Sequence, residues 1–372
     1  MAADTFALRF PRLHDRLIRL QRALPALAFF GGFLWDALTL GRNVAPMDLW
    51  LLAGYLALAA GILWFLGRRQ AREAAAAGAP EETTPPMAPR PWWRESGPYL
   101  LLQFCFGGLF SALFIFYFKS SSHLLALFWA LGLGALLVAN EFLEDQYRRF
   151  TLTWALFGLC AMLLLNFAVP HILGSLSAFW FYLSTLAGAG LAHTLRHKTP
   201  GRPGRIRPVW AVAGALILAW LLDVIPPVPL VKRAITVGHD LGKQGGDYVI
   251  HHEKTPWWVF WREVESEVHL LPGERLYCLA AVFAPTGLNT RLYHHWRYKD
   301  PDQGWVSRSR IGLALAGGRQ GGYRGYTYKT NLAPGDWEVS VETEAGRTVA
   351  IHEFTVSEDP READARMLEE RI

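Results

Sequence analysis

Hydrophobic positions divide the chain at about residue 230. Before that point apolar residues form long unbroken runs; after it they alternate with polar ones. Seven apolar segments stand at 23–41, 47–66, 98–118, 124–142, 151–170, 176–194 and 209–225. Each is near the ~20 residues a helix needs to cross ~30 Å of hydrocarbon. The pattern therefore predicts an α-helical transmembrane bundle of about seven helices over 23–225, with Trp35, Trp50, Trp64, Trp154, Trp180 and Trp210 near segment ends, where rings meet headgroups. Asp223, Pro226, Pro227 and Pro229 stop the last run. Proline lacks the amide donor and pushes its predecessor toward extended geometry, so 226–245 is expected as an exit linker.

Period-two alternation then predicts strands at 275–284, 290–299, 304–315 and 322–330. Residue 275–284 reads as central, being apolar on both faces. A hairpin follows: Trp337, Val339 and Val341 alternate with Glu338, Ser340 and Glu342, Ala345-Gly346 turns the chain, and Phe354 and Val356 return it. Short strands at this spacing predict a small all-β sandwich, Ig-like, over 246–358. Within it Leu292, His294, Trp296 and Tyr298 share the core-facing side of one strand, with His294 a hydrogen-bonded core histidine; Tyr293, His295 and Arg297 share the other. The charged tail, 359–372, is expected as a frayed helix.

At the other end, Arg9, Arg12, Arg16 and Arg19 recur at helical spacing beside Leu13, Leu17, Leu20 and Leu24. Residues 1–22 are thus a basic amphipathic segment suited to an anionic leaflet. No cleavable signal peptide is expected, because the only Ala-x-Ala, at 26–28, precedes the first apolar run. The loop at 67–97, rich in Ala, Pro and Glu, reads as a flexible linker. Glycine pairs at 107–108, 132/134 and 188/190 suit close helix packing.

Charge sets the orientation. The N-terminal segment and the second, fourth and sixth loops carry seventeen Arg and Lys residues; the opposite short loops carry only Arg42 and Lys119. That bias places the N-terminus and the long loop in the cytoplasm, and seven crossings place the β domain outside it. It also accounts for the net charge of +5, so nucleic acid is excluded as the partner and the lipid bilayer takes its place. Cys105, Cys160 and Cys278 show no metal or disulfide spacing and read as small hydrophobes.

Four stretches together resemble a known family: DVIPPVPL at 223–230, LYHHWRY at 292–298, YRGYTYK at 323–329 and GDWEVSV at 335–341. Their order is similar to that in bacterial membrane proteins carrying the domain-of-unknown-function 2914 module at the C-terminus. The resemblance covers the last helix and most of the soluble part. It implies a multi-pass inner-membrane protein with a small β domain, and it brings no catalytic residues.

Candidate chemistry is sparse. Asp36 and Asp223 fall at similar depth, roughly 20 Å above the cytoplasmic edge at helical rise, with Asn166 near the same level. An intramembrane carboxylate costs about 2.5–3.5 kcal/mol and faces a cavity or a partner. These three residues form the candidate polar site, set against plain helix-end pairing. His193 and His197, four apart, are weak candidate metal ligands with Glu141, Glu144 or Asp145; HxxxH lacks the catalytic glutamate of HExxH. Tyr293, His295 and Arg297 form a candidate recognition patch, and Trp257, Trp258 and Trp261 a candidate membrane-docking group. No GxSxG, P-loop or dinucleotide fingerprint is present, and no cofactor is expected. The favoured reading is a non-catalytic sandwich that binds an envelope protein, glycan or lipid; the alternative is a membrane enzyme or transporter using the polar site.

Overall fold

The computed structural model describes residues 46–77, 97–121, 124–140, 143, 147–245, 247–253, 267–271, 273–284, 288–316, 323–357, 359 and 367–372. Among these are six helices: α1 (Pro46–Ala77), α2 (Gly97–Ser120), α3 (Leu124–Asn140), α4 (Thr151–Leu173), α5 (Ala178–Lys198) and α6 (Arg207–Leu221). The count of seven is not matched there, since the segment at 23–41 lies outside the described residues. Three helices, α1, α2 and α4, are long and apolar enough to cross a membrane; α3 and α6 are shorter apolar helices.

Helix ends follow local chemistry. Pro46 opens α1, where a missing amide donor costs nothing. The Ser177 hydroxyl caps α5 by accepting from the Phe179 amide, and Gly174 in the left-handed region closes α4. Helix α1 runs eleven residues into the stretch expected as a linker, supported by Arg69 Nε to Glu73 Oε1 at 2.9 Å. Helix α5 packs on α4 at Gly188, where an added Cβ would lie 2.6 Å from the Met162 amide nitrogen. Of the other anticipated glycines, Gly132 and Gly190 face nothing within 4 Å.

Eleven strands follow among the described residues: β1 (Val231–Gly238), β2 (Asp240–Gln244), β3 (Asp247–Glu253), β4 (Glu267–Val268), β5 (Arg275–Phe283), β6 (Asn289–Asp300), β7 (Gly304–Ala316), β8 (Tyr323–Thr330), β9 (Gly335–Thr343), β10 (Thr348–Val356) and β11 (Met367–Arg371). One sheet runs β1-β5-β8 and a second β4-β10-β9-β6-β7. Their facing sides share a buried cluster that includes Val237, Cys278, Ala280 and Val282 from the first, and Leu292, Trp296, Val339, Val341 and Phe354 from the second. Strand β5 is central and buried on both faces, its Leu279 and Ala281 fully enclosed. Alternation in β6 holds as read: Leu292, His294 and Trp296 are buried, whereas Tyr293, His295 and Arg297 are half-buried on the opposite face.

Two expectations change. The stretch 226–245, read as linker, contributes β1, which pairs antiparallel with β5 from Val231 to Gly238. The tail, read as a frayed helix, forms β11 on the edge of a third sheet, β11-β3-β2, with Tyr248 and Ile372 exchanging backbone bonds. A free edge on β3 supplies hydrogen bonds that five charged and apolar residues cannot find alone.

Candidate functional site

Polar residues at the exit of α6 form the first candidate. Asp223 has φ 56°, turning the chain sharply out of the helix. Its Oδ1 accepts from Arg347 Nη1 at 2.9 Å, and Arg347 lies in the β9–β10 turn, 124 residues away. The same guanidinium sits 4.4 Å from the Trp220 ring centroid, and Trp220 stacks on Phe181 at 4.1 Å. Asn166 is buried in α4, exchanging bonds with Thr185 Oγ1 at 3.1 and 3.3 Å. Asn166 and Arg347 line a shared space of only about 20 Å³, room for about one water. Asp36 lies outside the described residues.

The arrangement ties the β domain to the end of the last helix through a charge-assisted bond and a cation–π contact. Arg347→Ala should lower the unfolding free energy by about 1 kcal/mol. It should also increase protease cutting between Pro226 and Leu230, whereas Arg347→Lys should restore part of the protection. Unchanged cutting in Arg347→Ala would remove the tie.

The histidine pair is not brought into a ligand set. His193 Nδ1 accepts from Trp210 Nε1 at 3.1 Å, and His197 is exposed. Glu141, Glu144 and Asp145 lie outside the described residues. No group of three His, Cys, Asp or Glu among the described residues is arranged to hold a metal ion. Nearby, Arg196 donates to the carbonyls of Arg202, Pro203 and Gly204, so this basic loop is internally ordered. The sequence gives no sign of an amide pair in the bundle: half-buried Gln103 and buried Asn140 exchange side-chain-to-backbone bonds at 3.2 Å, and Tyr147 donates to Asn140 Oδ1.

On the outer face of the second sheet, Tyr293, His295 and Arg297 are brought together as read, but each is engaged. His295 bonds Glu342 through Nδ1 and Ser307 through Nε2, both at 2.8 Å. Arg297 pairs with Glu338, and Arg310 lies 3.8 Å from the Tyr293 centroid. Lys299 to Asp336, 3.1 Å, extends the row along the β6–β9 pairing. Registry places Arg297 directly opposite Glu338, while His295 stands opposite Ser340 and reaches Glu342 diagonally. The aromatic group at 257–261 lies outside the described residues.

A further cluster gathers residues that no spacing links. Glu253, ending β3, accepts on Oε1 from His239 Nε2 and from the His269 amide, each 2.9 Å, and on Oε2 from His269 Nδ1 at 2.8 Å. Glu274 Oε1 stands 3.3 Å from His239 Nδ1 and Glu267 Oε1 3.8 Å from His269 Nε2. Burial alone would raise the Glu253 carboxyl, but bonds from His239 and His269 outweigh it and hold it at about 2. The bond to Glu253 raises His269 above its ordinary value, against a smaller opposing effect of burial.

With this geometry in place, comparison with known proteins adds one assignment. Residues 289–356 match the family described as "Protein of unknown function (DUF2914)". The match spans β6 to β10, the strands that carry both the outer polar row and the inner His294 face. No curated protein matches the chain in sequence. Among solved structures, an immunoglobulin-like protein from Pseudomonas aeruginosa aligns at 13% identity and TM-score 0.22, covering 35% of this chain and 97% of that one. A β-glucosidase from Listeria innocua aligns at 12% identity and TM-score 0.19, covering 32% of this chain and 17% of the glucosidase. The chain therefore spans under a fifth of that enzyme's length, and at these scores neither likeness carries an argument.

Proposed function

We propose that this is a multi-pass inner-membrane protein, N-terminus in the cytoplasm, that holds a non-catalytic Ig-like sandwich in the periplasm to bind an envelope protein, glycan or lipid. The observation that carries the reading is the junction of Asp223, Trp220 and Arg347, which seats the β domain directly on the exit of an apolar helix. The loop charge bias supports the orientation. Recognition is assigned to the face of Tyr293, His295 and Arg297, where paired charges hold the side chains in fixed positions and reduce the entropy lost on binding. Asp223 and Asn166 of the polar site are assigned a structural role, because the space beside Asn166 takes about one water.

Spheroplasts carrying the full chain expose the outer face of the inner membrane and test both parts together. They should retain labelled cell-wall fragments, lipid vesicles or a periplasmic protein above the level of cells lacking the chain. Tyr293→Ala should reduce that retention about tenfold, a size typical of losing one well-placed aromatic contact. Retention by inverted vesicles alone would overturn the orientation, and no retention of any class would overturn the binding role.

A further inference from the structure

The outer face of the β1-β5-β8 sheet carries a row of tyrosines. Thr327 points into the core, where its hydroxyl meets His294 Nδ1 at 2.9 Å and Trp296 Nε1 at 3.0 Å. Tyr326 and Tyr328, on either side of it in β8, therefore face outward. Leu276 and Cys278 likewise belong to the core and turn Tyr277 of β5 outward between them. Register sets Tyr277 directly beside Tyr328, with ring centroids 5.6 Å apart. From the third sheet, Tyr248 of β3 closes on Tyr326 at 5.7 Å. Further along the same face of β5, Leu279 and Ala281 are fully enclosed, whereas Tyr326 and Tyr328 are 43% and 48% exposed. A lone exposed ring needs no explanation, but a contiguous row of them marks a contact surface.

A cation stands at each end of the row. Arg275 lies 5.0 Å from the Tyr328 centroid and Lys243 5.8 Å from that of Tyr248, and both are exposed. Neither has a carboxylate within ion-pair distance among the described residues. Glu274, next to Arg275 in sequence, turns to His239, and Asp247, next to Tyr248, is taken by Arg324 at 2.7 Å. The outer face of the second sheet differs: there Arg297, Lys299 and Arg310 each have an acid of their own.

Exposed rings between unneutralised cations suit a ligand with flat apolar faces and widely spaced negative charges. The C–H face of a sugar meets the negative face of an aromatic ring, and a carboxylate pairs with guanidinium or ammonium. Other partners fit less well. The four rings expose roughly 300 Å², well below the ~800 Å² that a stable protein interface takes from each side. A nucleic acid brings a phosphate with every nucleotide and binds by neutralising many of them, for which two cations are few. Gly238, opposite Tyr277, lies seven residues along β1 from Val231, about 23 Å at strand rise. The row is thus not at the helix exit, where lipid headgroups would lie.

We propose that this face binds an acidic glycan, its sugar rings on Tyr326 and Tyr328 and its carboxylates on Arg275 and Lys243. The site is separate from the face of Tyr293, His295 and Arg297, and its assignment does not rest on theirs.

The test is titration calorimetry of the full chain in phosphatidylcholine nanodiscs. Tetragalacturonate should bind saturably, and added salt should weaken it. The neutral galactotetraose, with a hydroxymethyl in place of each carboxylate, should bind about tenfold more weakly, the size expected for losing one charge-assisted bond. Arg275→Gln should weaken tetragalacturonate about tenfold and leave the neutral sugar unchanged. Tyr326→Leu and Tyr328→Leu should each weaken it about tenfold, whereas Tyr328→Phe, which keeps the ring, and Tyr293→Ala, on the other face, should not. Equal binding of the two sugars, unchanged binding in both leucine variants, or loss of binding in Tyr293→Ala would overturn the site. Tighter binding of oligothymidylate or polyglutamate would replace the glycan with another class of partner, and no saturable binding of tetragalacturonate would remove the proposal altogether.

Discussion

Replacing Gly188 with alanine should destabilise the helical bundle by about 3 kcal/mol, although alanine is the better helix former by about 1 kcal/mol. The added Cβ would lie 2.6 Å from the Met162 amide nitrogen and 2.7 Å from its Cα. Backbone atoms cannot rotate aside as a side-chain tip can, so α5 must move off α4. Those two helices carry the Asn166–Thr185 bonds and support Phe181 under Trp220, so the shift would reach the base of the β domain. Denaturant unfolding of the full chain in mild detergent checks the size. Gly190→Ala provides the comparison, since nothing lies within 4 Å of its added Cβ; it should be neutral or slightly stabilising. Equal behaviour of the two variants would remove the close approach.

That contrast also marks how far sequence reading reaches. Paired glycines in an apolar run signal close packing somewhere, but period alone does not say which member meets a neighbour. The runs themselves were legible because apolar length is a one-dimensional quantity, and the helices from 46 to 221 start and stop near the predicted bounds apart from the extension of α1 past Leu66. Strands β5 to β10 were legible for the same reason: alternation in a half-buried strand is written in adjacent residues. Strand β11 was not, because Met367–Arg371 has no pattern of its own and becomes a strand only through the edge of β3. Strand β1 was hidden by the prolines before it, which argue for an extended chain but do not supply its partner.

The candidate sites divide along the same line. The facing of Tyr293, His295 and Arg297 followed from alternation, while their partners Glu338, Glu342, Ser307 and Arg310 depend on cross-strand register. Asp223 was legible as an unusual residue at a helix exit, and Arg347 was not, being 124 positions away in a turn. His294 was read correctly as buried; that Thr327 is the partner of its Nδ1 depends on how β8 packs.

The second large effect is a stability optimum in mildly acidic solution, set by the bonds from His239 and His269 to Glu253. The folded carboxyl stands at about 2 against an ordinary 4.5, so its contribution is complete above about pH 4.5 and disappears as pH falls toward 2. The full shift would correspond to about 3 kcal/mol; solvent at the edge of the cluster reduces this to about 2 kcal/mol. His269 works in the opposite sense. Its folded value is raised above 6.5, so its contribution is complete below that pH and is lost as pH rises through the raised value. Glu267 and Asp359 add to that raise, and Glu274 faces the far nitrogen of His239. The two effects overlap between about pH 4.5 and 6.5. Thermal unfolding of the full chain should therefore peak in that window and fall on either side. Glu253→Gln, which keeps the shape and removes the charge, should flatten both the acid and the alkaline fall and cost about 2 kcal/mol at pH 6. His269→Asn should flatten the alkaline fall and reduce the acid one, which the His239 bond and the residue-269 amide still support. A profile in Glu253→Gln identical to that of the unaltered chain would show that the pH response has another origin.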